Sequence, residues 1–163
     1  VSEIIARPST AADASEIRRL RLEALLDAPA AYGTRHEEVV GWSEQQWLDM
    51  ATSPSSFVVL VDDEIIGIAR GGTHDGEADS TNRWLWGMYV TPASRGSGAA
   101  QVLIEAVAEW SRADGGTALC LYVSTAAPRA RALYEKVGFV ATGIEFDHDT
   151  RPELRFCEMR MTL

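Results

Sequence analysis

The sequence has no apolar run approaching the roughly 20 residues that a bilayer-crossing helix needs, so nothing in its 163 residues reads as a membrane span. Cysteine is nearly absent. Cys120 and Cys157 stand within strand-like runs rather than at metal-ligand spacing, which points to buried free thiols, with a disulfide neither required nor excluded. Basic residues are in deficit: 15 Lys and Arg face 24 Asp and Glu, a formal net charge of −9. That balance argues against a nucleic-acid footprint and suits attraction of a cationic amine. There is no internal repeat, low-complexity tract or linker, and no nucleophile constellation stands out. His74 and Asp75 lack convergent ligands, so no metal site is expected. Val1-Ser2-Glu3 carries neither a basic flank nor an apolar signal core, and a cytoplasmic location is the expectation. What remains is an ordinary globular composition, 46% hydrophobic and 24% charged, at a length that suits one domain with its own core.

The most informative stretch runs from Trp84 to Trp110. Trp84-Leu85-Trp86-Gly87-Met88-Tyr89-Val90 is apolar on both parities, as a strand buried on both sheet faces must be. Beyond Arg95-Gly96-Ser97-Gly98-Ala99-Ala100, the residues Ala99, Val102, Leu103, Ala106, Val107 and Trp110 recur at helical spacing, with Gln101, Glu105 and Arg112 on the wet side. A buried strand therefore feeds through a glycine turn into a helix N-terminus. The first helical turn has N–H groups without internal partners and the positive end of the helix dipole, so it attracts anions. Gly96 and Gly98 let a phosphate approach the backbone, and small Ala99 and Ala100 keep that approach open.

Around this centre the chain reads in order. Glu3 to Arg7 forms a strand and Pro8-Ser9-Thr10 a break. A helix over about 12–26 has Ile17, Leu20 and Ala24 inside, while Arg18, Arg19, Arg21 and Glu23 read as a solvated face without function. The segment 27–41 reads as irregular, and Ser43 caps a short helix to about Ala51. Ser56–Val61 and Glu64–Gly71 form a hairpin turned at Asp62-Asp63, and 72–83 is a polar, glycine-containing loop. Ala118–Val123 is the next strand, Pro128 opens a helix, and Phe139–Phe146 with Leu154–Met161 close as an antiparallel pair around the polar turn 147–152. The order β-α-α-β-β-β-α-β-α-β-β gives a mixed α/β sheet with helices on both faces.

Arg95-x-x-Gly98-x-Ala100 after the buried strand resembles the Gln/Arg-x-x-Gly-x-Gly/Ala signature of the GNAT superfamily of acyl-CoA N-acyltransferases. A second block, Leu121-Tyr122-Val123 followed by Ala130-x-x-Leu133-Tyr134 and Gly138-Phe139, is similar to that family's second cofactor-side motif. The specific likeness covers Trp84 to Phe139, and elsewhere only element order and length agree. The resemblance implies a single GNAT-like domain over 1–163, with a mixed, mostly antiparallel central sheet whose two central strands splay where pantetheine enters. It implies acetyl-CoA as co-substrate and no metal. Cofactor contacts are then expected at Met88, Tyr89, Val90, Arg95, Gly96, Ser97, Gly98, Ala99, Ala100, Ala127 and Arg129, with Arg131 and Lys136 as further cationic candidates. Ala127 stands where the family usually has an asparagine that bonds the pantetheine arm, so one hydrogen bond is missing. Tyr134 is expected to be the general acid. Independently, a glycine in a strand buried on both faces reads either as a bulge at Gly87-Met88 that frees an amide for the oxyanion or as a glycine required by sterics alone.

The resemblance also places one acceptor wall between the first two helices, where Tyr32, His36, Glu37 and Glu38 lie. The base is left among Glu37, Glu38, Asp147 and an ordered water, and Asp147 and His148 either take part in acid–base chemistry or line the entrance. The acceptor is expected to be a small-molecule amine. The alternatives are a protein N-terminus or lysine, or a non-catalytic acyl-CoA-binding module. Family habit implies a homodimer.

Overall fold

The computed structural model describes residues 1–77 and 79–163. Its seven strands are β1 (Ile4–Pro8), β2 (Ser56–Val61), β3 (Glu64–Gly72), β4 (Asn82–Val90), β5 (Ala118–Ser124), β6 (Val140–Asp147) and β7 (Arg155–Thr162). They form one sheet in the order β1-β2-β3-β4-β5-β7-β6, antiparallel throughout except for the parallel β4–β5 pair. The helices are α1 (Ala14–Asp27), α2 (His36–Val39), α3 (Glu44–Thr52), α4 (Ala99–Ala113) and α5 (Pro128–Val137).

Local chemistry accounts for most boundaries. Asp62 and Asp63 both take positive φ, 49° and 66°, the conformation that a two-residue hairpin turn imposes. Ser43 caps α3, its hydroxyl accepting from the Gln46 amide at 3.2 Å while the Gln46 side chain returns to the Ser43 amide at 2.9 Å. The structure differs from the expectation in three places. Pro8 ends β1 instead of breaking it, because β1 is an edge strand where a missing N–H costs no ladder bond. Segment 27–41 contains the single-turn α2, too short to leave a periodic signal. β4 begins at Asn82 rather than Trp84, which shortens the expected 72–83 loop; Ala78 of that loop lies outside the described residues.

Two core clusters separate the faces of the sheet. Leu85, Val90, Leu119 and Leu121 pack with Leu103, Ile104 and Val107 of α4 and Tyr134 of α5. On the opposite face Val58, Ile65, Ile68 and Tyr89 pack with Ile17, Leu20 and Ala24 of α1 and Ala51 of α3. Each fully buried Leu, Ile or Val contributes about 1.5–3 kcal/mol relative to exposure. These clusters hold β4 rigidly between α1 on one side and α4 with α5 on the other.

Candidate functional site

β4 and β5 pair over only three positions, Asn82↔Ala118, Arg83↔Leu119 and Trp84↔Cys120. Beyond them β4 continues to Val90 along β3, while β5 continues to Ser124 along β7. The sheet therefore opens into a gap at the carboxyl ends of its two parallel strands. Within the gap, Ile68↔Tyr89 and Arg70↔Trp86 leave Gly87 and Met88 together opposite the single residue Ala69, which is the expected bulge. Gly87 has φ 60°, a conformation that side chains rarely adopt. The Met88 carbonyl accepts a hydrogen bond from the Tyr32 hydroxyl at 2.7 Å, which pins the bulge to the segment after α1.

At the end of β4 the chain turns through Pro92–Ser94 into α4. Gly98 is the N-cap residue with φ 94°, and Gly96 has φ 79°. The Ser97 hydroxyl donates to the Ser94 carbonyl at 2.6 Å and accepts from the Ala99 amide at 3.3 Å, which fixes the loop. Among the described residues, the amides of Gly96, Gly98, Ala100 and Gln101 have no acceptor. These N–H groups at the positive end of a 15-residue helix fit a phosphate. Arg95 is differently employed: its guanidinium donates to Asp27 at 2.7 Å and to the Val90 carbonyl at 3.2 Å, and lies 5.7 Å from the Tyr89 ring. Its side chain ties the end of α1 to the exit of β4.

The gap opens into a cavity of about 570 Å³ lined from both faces of the sheet. On the α5 side stand Ala127, Ala130 and Tyr134. Tyr134 is 8% exposed, its ring meets Phe139 edge to face at 5.7 Å, and its hydroxyl has no hydrogen-bond partner among the described residues. Burial pushes this phenol well above its ordinary pKa, so it keeps its proton at neutral pH. Arg129, in the first turn of α5, is exposed.

On the α1 side the lining is aromatic and cationic. Trp86, Tyr122, Phe146 and Phe156 form one wall, with Tyr122 and Phe146 in edge contact at 4.8 Å and Phe146 stacked on Phe156 at 5.9 Å. The cavity is also lined by Tyr32, Arg21 and Arg70, the last directly across the strand pair from Trp86. Burial pushes the Tyr32 phenol up to about 12. Arg21 is buried, with its guanidinium 5.4 Å from the Tyr32 ring. Burial lowers the pKa of both arginines, and Arg70 lowers that of Arg21 further; arginine nevertheless stays cationic at neutral pH.

The rim closes by contacts remote in sequence. Arg151 donates to the carbonyls of Pro29 and Tyr32 at 3.1 and 2.9 Å, so the β6–β7 turn is strapped over the segment after α1. His148 is held against Gly33, where an added Cβ would lie 2.6 Å from the imidazole. Of the residues weighed for the acceptor side, Tyr32, Glu38 and His148 line the cavity, whereas His36 and Glu37 do not. Asp147 also lies outside it, paired with Arg155 at 3.0 Å. The side chains of Tyr89 and Val90 turn into the two cores, leaving only their backbone near the gap.

Sequence reasoning missed Arg21 and Arg70. Arg18 is exposed and Arg19 pairs with Glu16 and Glu23, as a solvated face should, but Arg21 is buried. The signal was its position four residues after Ile17, within the apolar stripe; Arg70 stands two residues after Ile68, on the same face of β3. Among the described residues no group of three His, Cys, Asp or Glu is placed to hold a metal ion, and no helix is long and apolar enough to cross a membrane.

A strand pair that splits beside a helix N-terminus with free amides has room for an extended ligand that ends in a phosphate. The sequence matches the family described as Acetyltransferase (GNAT) family over residues 17–139, and the chain belongs to that family. No curated protein matches it. Among solved structures, a GCN5-related N-acetyltransferase from Kribbella flavida is 20% identical with a TM-score of 0.78, covering 98% of each chain. The Salmonella typhimurium protein yncA, solved with its cofactor acetyl-CoA, is 19% identical with a TM-score of 0.76, covering 99% of this chain and 95% of that one. A ribosomal-protein-alanine N-acetyltransferase from Brucella melitensis is 20% identical with a TM-score of 0.76, covering 98% and 99%. At these identities the likeness is one of fold.

Proposed function

We propose that this protein transfers the acetyl group of acetyl-CoA to the primary amine of a small molecule by direct attack within a ternary complex. The observation that carries the reading is the β4–β5 gap, open from both faces of the sheet, with unpartnered amides at one end and Tyr134 beside it. The amides of Gly96, Gly98, Ala100 and Gln101 hold the pyrophosphate, Arg129 adds positive charge, and the backbone of Met88 to Val90 pairs with the pantetheine arm. Ala127, on the opposite lip, contributes contact but no hydrogen bond.

Acetyl-CoA supplies an acyl carbon on a thioester: the amine nitrogen bonds to that carbon, the carbon–sulfur bond breaks, and CoA leaves as the thiol. Holding both reactants in one cleft removes much of the entropic barrier, so a covalent enzyme intermediate is unnecessary. An amide of the Gly87-Met88 bulge donates to the carbonyl oxygen as negative charge develops there. The proton of the substrate ammonium leaves toward Glu38 or His148 at the cavity rim, directly or through water. Tyr134 donates its phenolic proton to the departing sulfur.

The cofactor half of the reading is tested with Gly98→Glu, which sets bulk and a negative charge among the free amides. Calorimetry should give acetyl-CoA binding at least about 10-fold weaker, since one amide hydrogen bond to a charged group is worth about 1.5–3 kcal/mol. A folded variant that binds acetyl-CoA normally removes the phosphate assignment.

A further inference from the structure

We infer that the acceptor carries a carboxylate beside its amine, and that Arg21 and Arg70 bind it; the inference rests on the acetyl-transfer reading above and names its substrate class. Arg21 is 8% exposed and its Nη1 is buried without a hydrogen-bond partner. Arg70 has no ion pair or hydrogen bond among the described residues. The two converge: Arg21 Nη1 and Arg70 Nε each lie 3.7 Å from the position that a Cβ on Gly87 would take, at the bulge itself.

Two like charges brought together with little water are unfavourable unless an anion joins them. Among the described residues none pairs with either guanidinium. The acidic side chains later in α1 are spent elsewhere, Glu23 on Arg19 and the Tyr89 hydroxyl, and Asp27 on Arg95. The carboxylates on the cavity, Glu38 and Asp149, are exposed rim residues, and neither pairs with Arg21 or Arg70. The missing counter-ion therefore comes with a ligand.

The faces of the sheet say which ligand. Arg70 alternates with Ile68, which packs against α1, and so does Tyr89, whereas α4 with its free amides and Tyr134 belong to the other face. The arginines thus face the side from which the acceptor enters, away from the phosphate-binding turn. A guanidinium pair matches a carboxylate, and the adjoining wall of Trp86, Tyr122, Phe146 and Phe156 matches an apolar side chain. An amine with both features is an amino acid. A peptide N-terminus presents a neutral amide in that place and leaves the pair unanswered.

The test measures thiol release from acetyl-CoA with leucine, methionine and phenylalanine, each beside its amide and its decarboxylated amine. The free acid should exceed both analogues by about 100-fold in kcat/KM, because a site built for a polar group is left unpaired by a ligand lacking it. Arg70→Gln and Arg21→Gln should each lower kcat/KM for the acid by a similar factor, relax the preference over the amide, and leave KM for acetyl-CoA unchanged. Since Arg21→Gln alters a buried position, Arg70→Gln is read independently, and Arg70→Lys should restore part of the activity. Equal use of acid and amide overturns the inference, as do a raised KM for acetyl-CoA in the arginine variants and failure of every acid although acetyl-CoA binds. Failure of the wild-type protein to bind acetyl-CoA by calorimetry instead removes the transferase reading itself.

Discussion

Replacing Tyr134 with phenylalanine separates catalysis from packing more cleanly than any other change in this site. The hydroxyl has no partner among the described residues, so its removal strands no buried donor or acceptor, and the edge contact with Phe139 at 5.7 Å needs only the ring. Folding stability and the free energy of acetyl-CoA binding should therefore stay within about 0.5 kcal/mol of wild type, the range of substitutions that break no specific feature. The chemical step should fall by about 10²-fold or more, because a positioned acid contributes that much to proton transfer, equivalent to about 2.7 kcal/mol. Product release can hide such a loss, so the assay is a single-turnover measurement with enzyme in excess over acetyl-CoA. The pH profile adds a second reading. Burial raises the phenol above its ordinary value of about 10, and the protonated form is the active one, so the wild-type rate should show no descending limb from this group below about pH 10. An unchanged single-turnover rate in Tyr134→Phe would refute the assignment and leave Tyr134 as a packing residue.

Other parts of the molecule give sharp outcomes too. Burial pushes the Cys120 thiol up to about 11, and the Glu145 carboxylate and burial together raise that of Cys157, so a chromogenic disulfide at pH 8 should find no reactive thiol in the folded protein and two in denaturant; fast reaction of either in the native state contradicts the burial. Arg7, 2.8 Å from Asp13, holds that carboxyl below its usual range, so the pair stabilises the fold above about pH 4 and loses its effect as pH falls through the lower folded value. Because Arg7 is partly exposed, Asp13→Asn should cost only about 1 kcal/mol at pH 7, and a melting difference that persists undiminished at pH 2 would show that charge is not the cause. The edge strand β6 exposes Val140 by 69% and Ile144 by 54%, a surface suited to a second copy of the chain. Light scattering should give twice the 17.8 kDa chain mass, reverting to the single mass in Val140→Glu/Ile144→Glu; a wild-type mass of 17.8 kDa at all concentrations excludes the dimer.

What the sequence made legible was local. The glycine turn and the helix of the Ala130-x-x-Leu133-Tyr134 block lie within a few turns of chain, where spacing and conformation are tightly coupled, and both appear as read; α4 also forms, but its buried face is Ala99, Leu103, Ile104, Val107, Ala108 and Ser111, and the expected Val102, Ala106 and Trp110 are only half-buried. At Gly87 the sequence offered a bulge or a sterically required glycine, and the register across β3 selects the bulge. The far wall of the cavity was legible only in part: Tyr32, Glu38 and His148 were singled out, Arg21 and Arg70 were not. It forms where Tyr32 and Gly33 meet His148 and Thr150, more than 110 residues apart, through the carbonyl contacts of Arg151 and the packing of an imidazole on a glycine. No periodicity encodes such a meeting, and α2 is too short to have one.

The charge balance illustrates the difference between composition and placement. A net charge of −9 suggested a molecule that attracts cations, and the exposed carboxylates do supply that field at long range. Inside the cavity the sign is reversed, because Arg21 sits in the apolar stripe of α1 and Arg70 in the inward register of β3. An amino acid zwitterion would meet both: an acidic rim at Glu38 and Asp149 for its ammonium, and a cationic interior for its carboxylate. The order also orients it, since the amine must lie near the gap between β4 and β5 while the carboxylate reaches the arginines beside Gly87. A buried guanidinium without a partner destabilises the folded chain on its own. Its presence in a helix stripe that Leu or Met would fill more favourably is explained by the ligand that completes it.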